Sequence, residues 1–463
     1  MSIQIDYTNM MTEVVGEFGI SEADLEGLKD KTDEIHRDLM GRREGGLAPF
    51  YELPFNKHQV EEVRKFADEA KARYENVVVL GIGGSALGTI ALGRALLPLY
   101  HNHVDSGRSG GHPRLFVLDN VDPSGFGETL DYLDPGKTLV IVISKSGSTV
   151  ETMCQFMIAR QWMEEAVGDR YRDHFVLITD PLSGALRKLA EDEGYQSFDI
   201  PQKVGGRFSV FTAVGLLPLA LAGVDVEAVL EGAAAMEKRA TLPGLMENPA
   251  YLNAALNYLA YRKGLKIGVL MPYSDRLYDF ADWYRQIWAE SLGKKFSRGG
   301  QVVHIGPTPV KALGTTDQHS QVQLYMEGPF DKLVTFITVD DYGRDVKIPS
   351  QAPAPSLSYL GGHSMAELIR SEQQATAVAL SKNGRPNCTI KLDRVSPENL
   401  GALIYMFEVQ TVFAGGLFDV NPLDQPGVEE GKEFTYGLMG REGFEEKKEE
   451  FSRLVSLHRT RIL

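Results

Sequence analysis

Several short segments carry residues whose types and spacing suit proton transfer. In Trp283-Tyr-Arg-Gln-Ile-Trp-Ala-Glu-Ser-Leu-Gly-Lys294, a predicted helix, Gln286 and Glu290 are one turn apart and share a face. Trp283, Ile287 and Leu292 can supply apolar neighbours, and a carboxyl in such surroundings can acquire a pKa suited to proton abstraction. A solvated surface glutamate is the alternative. Val204-Gly-Gly-Arg-Phe-Ser209 presents Arg207 behind two glycines, so an anion can approach it without steric cover. A structural arginine bridging a carboxylate fits equally well. His319 lies in the polar stretch Gly314-Thr-Thr-Asp-Gln-His-Ser-Gln321, one of ten histidines in the chain. Gln425 stands just before a Pro426-Gly427 turn, and Lys432 follows near the second turn of the next predicted helix. A lysine there is ordinarily solvated.

Two further segments suit anion binding. Ser144-Lys-Ser-Gly-Ser-Thr149 sits between a predicted strand and a predicted helix and gathers hydroxyls, one lysine and one glycine. The open amides and positive dipole of a helix N-terminus make that a phosphate cradle. Simple capping by Thr149 needs one hydroxyl, not four. No Walker pattern is present, so nucleotide phosphoryl transfer is disfavoured. Gly81-Ile-Gly-Gly-Ser-Ala-Leu-Gly88 also follows a strand and approximates a dinucleotide fingerprint. The acidic residue required about 20 positions later is missing, because 97–104 is not strand-like and Asp119 lies too far along. A tight turn, or a sugar or phosphate contact through Gly84 and Ser85, are the other readings.

The elements that must hold these residues have a clear texture. Short apolar runs at 76–81, 115–118, 138–144 and 175–179 alternate with helix-like segments at 87–97, 149–165 and 184–193. That alternation predicts a parallel sheet covered on both faces, with ligands at the carboxyl ends of its strands. A buried helix is predicted at 212–221. A second set follows, with strands at 265–272, 332–339 and 387–392 and helices at 277–292 and 399–413. Charged amphipathic helices are predicted at 21–42, 59–74 and 442–463, and a Pro/Ala/Ser-rich loop at 350–358. The fold class is therefore α/β, with two α/β units in tandem.

Composition narrows the partners. The 463 residues carry a formal net charge of −15, which disfavours nucleic acid and anionic membranes. Two cysteines, Cys154 and Cys388, form no disulfide framework or metal cluster, and a reducing compartment fits. No apolar leader and no run of 18 apolar residues is visible, so a cytoplasmic protein without a membrane span is expected.

Taken in order, the six segments resemble the glucose-6-phosphate isomerase family from about residue 40 to residue 450, most closely its compact bacterial members. Gly-Gly-Arg-Phe-Ser at 205–209 and Asp-Gln-Pro-Gly-Val-Glu-(x)2-Lys at 424–432 are similar to two family signatures. The resemblance implies two sugar-isomerase domains, each a mostly parallel sheet between helical layers. They would span 71–230 and 231–440, with an N-terminal helical segment (1–70) packed on the second domain and a C-terminal helix (441–463). It implies that Gly84 and Ser85 contact substrate and that Ser144, Lys145, Ser146 and Thr149 bind phosphate. Some relatives carry threonine in place of Ser146, a change that keeps the hydroxyl. Arg207 would stabilise an enediolate, Gln286 and Gln425 would bind substrate, and Glu290 would be the catalytic base. His319, from a neighbouring subunit, and Lys432 would open the sugar ring. Neither cofactor nor metal is implied, and a homodimer with shared sites is. The rivals are a non-catalytic sugar-phosphate-binding regulator of the same fold, which would not need Glu290, His319 and Lys432 together, and an NAD-dependent dehydrogenase.

Overall fold

The computed structural model describes residues 3–104, 110–457 and 460–462. Among them are strands β1 (Ile3–Asp6), β2 (Asn76–Leu80), β3 (Arg114–Leu118), β4 (Thr138–Ile143), β5 (Phe175–Thr179) and β6 (Gln196–Asp199). The chain continues through β7 (Ile267–Pro272), β8 (Lys294–Phe296), β9 (Val302–Ile305), β10 (Thr308–Lys311), β11 (Lys332–Asp341) and β12 (Asn387–Arg394). The first sheet has the order β3-β2-β4-β5-β6 and is parallel throughout. Every residue of β2, β4 and β5 is buried, which is why these strands read as unbroken apolar runs.

The second sheet has the order β1-β12-β11-β7-β10. Followed from β7, its chain path repeats that of the first: the second strand on one side, the third and fourth on the other. Only β1 is antiparallel, pairing with β12 in the register Ile5↔Ile390. Both lobes are thus α/β layers with one winding. The chain reverses direction across the sheet between β2 and β4, so the loops after these strands flank one crevice at their carboxyl ends. They are the two loops singled out above for anion binding.

In the second lobe the equivalent crevice is filled. Tyr273, directly after β7, is buried. Its carbonyl accepts a 2.9 Å bond from Tyr342, just after β11, and its hydroxyl donates to Gln318 at 2.6 Å.

The helix Tyr278–Leu292 follows β7 and joins the lobes. Its Phe280, Trp283, Tyr284, Ile287, Trp288 and Ser291 are buried, at the spacing of one helical face, and it packs on both Leu87–Leu96 and Pro397–Leu417. The Pro397–Leu417 helix has the length and apolarity of a membrane span, yet its apolar window is wholly buried inside the fold. Helices Lys29–Glu44, Val226–Ala240 and Pro249–Arg262 pack along it, while Lys57–Ala70 lies against Ala213–Leu221.

Several elements differ from the sequence expectation. The helix expected at 21–42 is two, Glu22–Glu26 and Lys29–Glu44, separated at Gly27 and Leu28. Ser21 and Asp24 form a capping box that starts the first. β1 arises inside a stretch that reads as helical, because pairing with β12 outweighs local texture. The loop expected at 350–358 runs into a 3-10 helix, Pro355–Leu360. The last helix is Glu445–Leu457, and the expected extension over 458, 459 and 463 lies outside the described residues.

Glu408, in the middle of Pro397–Leu417, is fully buried, and neither carboxyl oxygen has a hydrogen-bond partner among the described residues. Burial holds this carboxyl well above its ordinary range. A group protonated in the fold and ionised in the unfolded chain costs nothing below the ordinary carboxyl pKa. Above it, stability falls as pH rises toward the raised value. Glu408→Leu is therefore expected to melt higher than the parent, by a margin that widens between about pH 5 and about pH 8. A margin independent of pH would count against a buried neutral carboxyl.

Candidate active site

Arg207 sits in a 3-10 turn, Gly206–Phe208, that ends when Ser209 Oγ donates to the Gly206 carbonyl at 2.7 Å. The residue is 4% exposed. Its Nε donates to Ser291 Oγ at 2.7 Å and its Nη1 to Gln425 Oε1 at 3.0 Å. Its Nη2 donates to the carbonyls of Pro422 at 2.6 Å and Asp424 at 3.0 Å. A guanidinium has five N–H groups, and these bonds use four. The remaining hydrogen is on Nη1, and that nitrogen is 3.7 Å from Glu290 Oε1. Burial presses the guanidinium pKa downward, while Glu290 and Asp424 oppose it. Among the described residues, this buried guanidinium is fixed in place and keeps a single unused N–H, on the nitrogen nearest the Glu290 carboxylate.

Glu290 lies in the last turns of Tyr278–Leu292, a quarter exposed. Gln286 Nε2 donates to Glu290 Oε2 at 3.2 Å, as the shared helix face requires. Gln286 Oε1 is buried without a partner among the described residues, so the amide keeps an unused acceptor. Trp283, Ile287 and Leu292 are buried in the core. The polar partners of Glu290 are Gln286 and Arg207.

The glycines after β2 let neighbouring turns pack closely. A Cβ on Gly84 would stand 2.2 Å from the Gly206 carbonyl carbon and 2.5 Å from the Arg207 nitrogen. Gly84 thus lets the turn after β2 press against the turn that carries Arg207. Gly83 has φ +58°, and a Cβ there would lie 2.9 Å from Gln286 Nε2. The hydroxyl of Ser85 has no hydrogen bond among the described residues.

The 144–149 loop stands on the other side of the crevice. Ser144 continues β4, its amide donating to the Ile178 carbonyl at 3.1 Å. Its hydroxyl meets that of Thr149 at 2.9 Å. Thr149 makes no cap bond to the Val150–Val167 helix, so capping does not explain its hydroxyl. Ser146 Oγ accepts from the Ser148 amide at 3.3 Å. Gly147 has φ +64°, and a Cβ would strike the Leu186 amide at 2.7 Å. Lys145 Nζ donates to the Val204 carbonyl at 2.7 Å, tying this loop to the segment that carries Arg207. Burial holds its ammonium below the ordinary lysine range, against the pull of Asp180. Hydroxyls, a partly desolvated ammonium and a helix N-terminus thus lie on one short loop, a set of groups whose chemistry suits an anion.

Direct hydrogen bonds or ion pairs thus join Arg207, Gln286, Glu290 and Gln425, and backbone contacts bring Gly84 into the same cluster. Through the Val204 carbonyl, Lys145 brings the 144–149 loop alongside. Two predicted residues stay apart in the single chain. His319 is exposed and has no side-chain hydrogen bond or ion pair among the described residues. Its neighbours are tied inward: Asp317 accepts from the Leu313 amide, Gln318 is held by Tyr273 and Glu372, and Gln321 accepts from Tyr325. Lys432 lies on the Glu429–Leu438 helix and is paired with Glu429 at 2.9 Å. Sequence reasoning missed Ser291, Asp424 and Lys294. Their signal was adjacency: Ser291 and Lys294 follow Glu290 within the same segment, and Asp424 precedes Gln425.

A family model described as phosphoglucose isomerase matches residues 57–452. A glucose-6-phosphate isomerase of Carboxydothermus hydrogenoformans is 45% identical over 97% of both chains. That of Rubrobacter xylanophilus is 42% identical over 96% of this chain and 99% of its own. Among solved structures, a hypothetical protein from Thermus thermophilus superposes with a TM-score of 0.84 at 38% identity, covering 95% of this chain and all 100% of that one. A glucose-6-phosphate isomerase from Chlamydia trachomatis superposes with 0.74 at 28% identity, covering 87% of this chain and 77% of that one.

The contact between the two turns is directly testable. Gly84→Ala is expected to cost about 1–3 kcal/mol by overpacking against Gly206 and Arg207, read from the midpoint of denaturant unfolding. An unchanged midpoint would show that the turns separate freely and do not lock Arg207.

Proposed function

Because this chain belongs to the phosphoglucose isomerase family, we propose the following division of labour among its residues for the reversible interconversion of D-glucose 6-phosphate and D-fructose 6-phosphate. The chain is an aldose–ketose isomerase of glycolysis and gluconeogenesis. The observation that carries the division is the pairing of Glu290 with a buried Arg207 whose one free donor faces it.

The phosphate is held by Ser144, Lys145, Ser146 and Thr149, with Gly84 and Ser85 lining the sugar side of the crevice. Lys145 gives up part of its hold on Val204 to the dianion. His319 and Lys432 move protons between the ring oxygen and the anomeric hydroxyl, which opens the ring to the aldehyde. Glu290 then takes the C2 proton, and the electron pair flows into a cis-enediolate. The negative charge leaves the carboxylate and appears on the substrate oxygens beside Arg207. A fixed donor costs no reorganisation at that moment. Gln286, through its unpaired Oε1, and Gln425 orient the hydroxyls. A proton passes from the C2 hydroxyl to the C1 oxygen, and Glu290 returns its own proton to C1, which leaves a C2 carbonyl and a C1 hydroxyl, the ketose, with no net change in the enzyme.

The same reading supplies the oligomer. His319 is exposed on a loop whose Asp317, Gln318 and Gln321 are tied inward, which suits a residue presented to a second copy. We therefore read the enzyme as a homodimer with shared sites, in which Lys432 exchanges Glu429 for the sugar ring on binding. We also read it as cytoplasmic. The two sugar-isomerase domains are taken as 71–230 and 231–440, with 1–70 packed mainly on the second and a C-terminal helical segment over 441–463.

A coupled assay from fructose 6-phosphate separates this reading from a sugar-phosphate-binding regulator, which would bind without turnover. Glu290→Gln is expected to keep the fold and lose on the order of 10²–10⁴-fold or more in kcat, and near-parental turnover would end the base assignment. Lys145→Ala is expected to raise KM and weaken inorganic phosphate inhibition roughly tenfold or more while kcat changes less. Unchanged KM and inhibition would remove the 144–149 loop from the phosphate site.

A further inference from the structure

Lys294 is the second buried cation of the site, and no proton-transfer or phosphate-binding role calls for it. It is 8% exposed. It stands just past the end of Tyr278–Leu292, and its Nζ reaches back to the Glu290 carbonyl at 2.7 Å. The same Nζ donates to the Asp424 carbonyl at 2.7 Å, with Asp424 Oδ1 at 3.5 Å. The Asp424 carbonyl also accepts from Arg207 Nη2 at 3.0 Å. One carbonyl oxygen therefore receives both buried cations.

Closing a helix end does not require this arrangement. Gly293 already ends the helix, its amide donating to the Ala289 carbonyl at 2.9 Å. A lysine at a helix C-terminus is favourable, but an exposed one suffices. Sinking a second ammonium beside a buried guanidinium carries desolvation and repulsion together. Burial, and then Arg207, hold the Lys294 ammonium below the ordinary range, while Asp424 and Glu290 pull the other way. Such a cost is consistent with a positional task.

We propose that Lys294 is a positioning residue for the isomerisation, fastening the backbone of Glu290 and the backbone of Asp424 to one ammonium so that base and oxyanion clamp keep a fixed separation. The inference rests on the roles given above to Glu290 and Arg207. Without Lys294, Arg207 would be, among the described residues, the one side chain from outside 421–425 still hydrogen-bonded to that segment. Gln425, which aligns Nη1, shifts with that segment, and the last free Nη1–H loses its aim. The Glu290 carbonyl also loses its side-chain donor, and the Asp424 carbonyl is left with Arg207 Nη2 alone. The damage falls where charge moves from Glu290 to the enediolate. It does not fall on the phosphate, which the 144–149 loop holds independently.

The test compares two ligands and three variants of the full-length enzyme. Lys294→Met is expected to lower kcat at least about tenfold with KM within about threefold. A five-carbon aldonate phosphate, whose carboxylate mimics the enediolate, should lose affinity in parallel, while a hexitol 6-phosphate should bind as before. Lys294→Arg, which keeps a cation of similar reach, should recover most of the loss in both. If Lys294→Met does not fold, Lys294→Gln takes its place with the same expectations. Parental kcat and parental mimic affinity in a folded variant overturn the proposal. So does an equal loss of affinity for both ligands, the mark of a merely structural role. Glu290→Gln run alongside separates the levels. If it retains turnover, the underlying assignment fails. If it is inactive while the folded Lys294 variant behaves as the parent, this inference alone falls.

Discussion

The guanidinium of Arg207 is nearly withdrawn from water and yet fixed by four hydrogen bonds that tie three parts of the chain together. Its own turn comes from the first lobe, Ser291 from the helix that bridges the lobes, and Pro422, Asp424 and Gln425 from a segment beyond the core helix Pro397–Leu417. A buried guanidinium tolerates no loose geometry, because each N–H left without an acceptor carries a desolvation penalty. Meeting that demand sets where these segments stand relative to one another. Glu290 is one residue before Ser291, so the bond that satisfies Nε also delivers the carboxylate to Nη1. The turns at Gly83–Ser85 and Gly206–Phe208 interlock for the same reason, since only a residue without a Cβ lets them meet.

The repeated winding of the two lobes explains where chemistry is possible. Each sheet reverses direction beside its first strand, and each reversal leaves room at the carboxyl ends. In the first lobe that room is bordered by small and hydroxylated residues, Gly83, Gly84, Ser144 and Ser146. In the second it is occupied by Tyr273, which Tyr342 and Gln318 hold in place. The filled crevice is still put to use. Gln318, anchored by Tyr273 and Glu372, stiffens the segment that carries His319 outward. One winding therefore places the hydroxyl-rich loop to which we assign the phosphate in one lobe, and a tied-down mount for His319 in the other.

Much of this was legible in the sequence, for physical reasons. A strand buried on both faces must be continuously apolar, so β2, β4, β5, β7 and β11 announced themselves. Loops that bind anions must be small, polar and next to a helix start, which marked 144–149. The helical spacing of Gln286 and Glu290 fixed their shared face in advance. Long-range pairing was not legible. β1 has little strand character of its own and exists because β12 offers an edge. The packing of Gly84 on the backbone of Gly206 joins residues more than a hundred positions apart, and spacing alone does not encode it. Lys294 looked like any lysine after a helix, and its partner Asp424 is 130 residues further along the chain. The isolated positions of His319 and Lys432 in one chain likewise depend on tertiary placement that spacing alone does not encode.

The central claim is that Arg207 is held immobile and keeps one Nη1–H for the enediolate beside Glu290. A crystal structure with a five-carbon aldonate phosphate bound tests it most directly. The account predicts that Arg207 retains its bonds to Ser291, Pro422 and Asp424, that the free Nη1–H donates to the carboxylate of the mimic next to Glu290, and that the phosphate rests in the 144–149 loop. An Arg207 that abandons Ser291 and Asp424 to reach the ligand, or a carboxylate bound away from both Arg207 and Glu290, would contradict it.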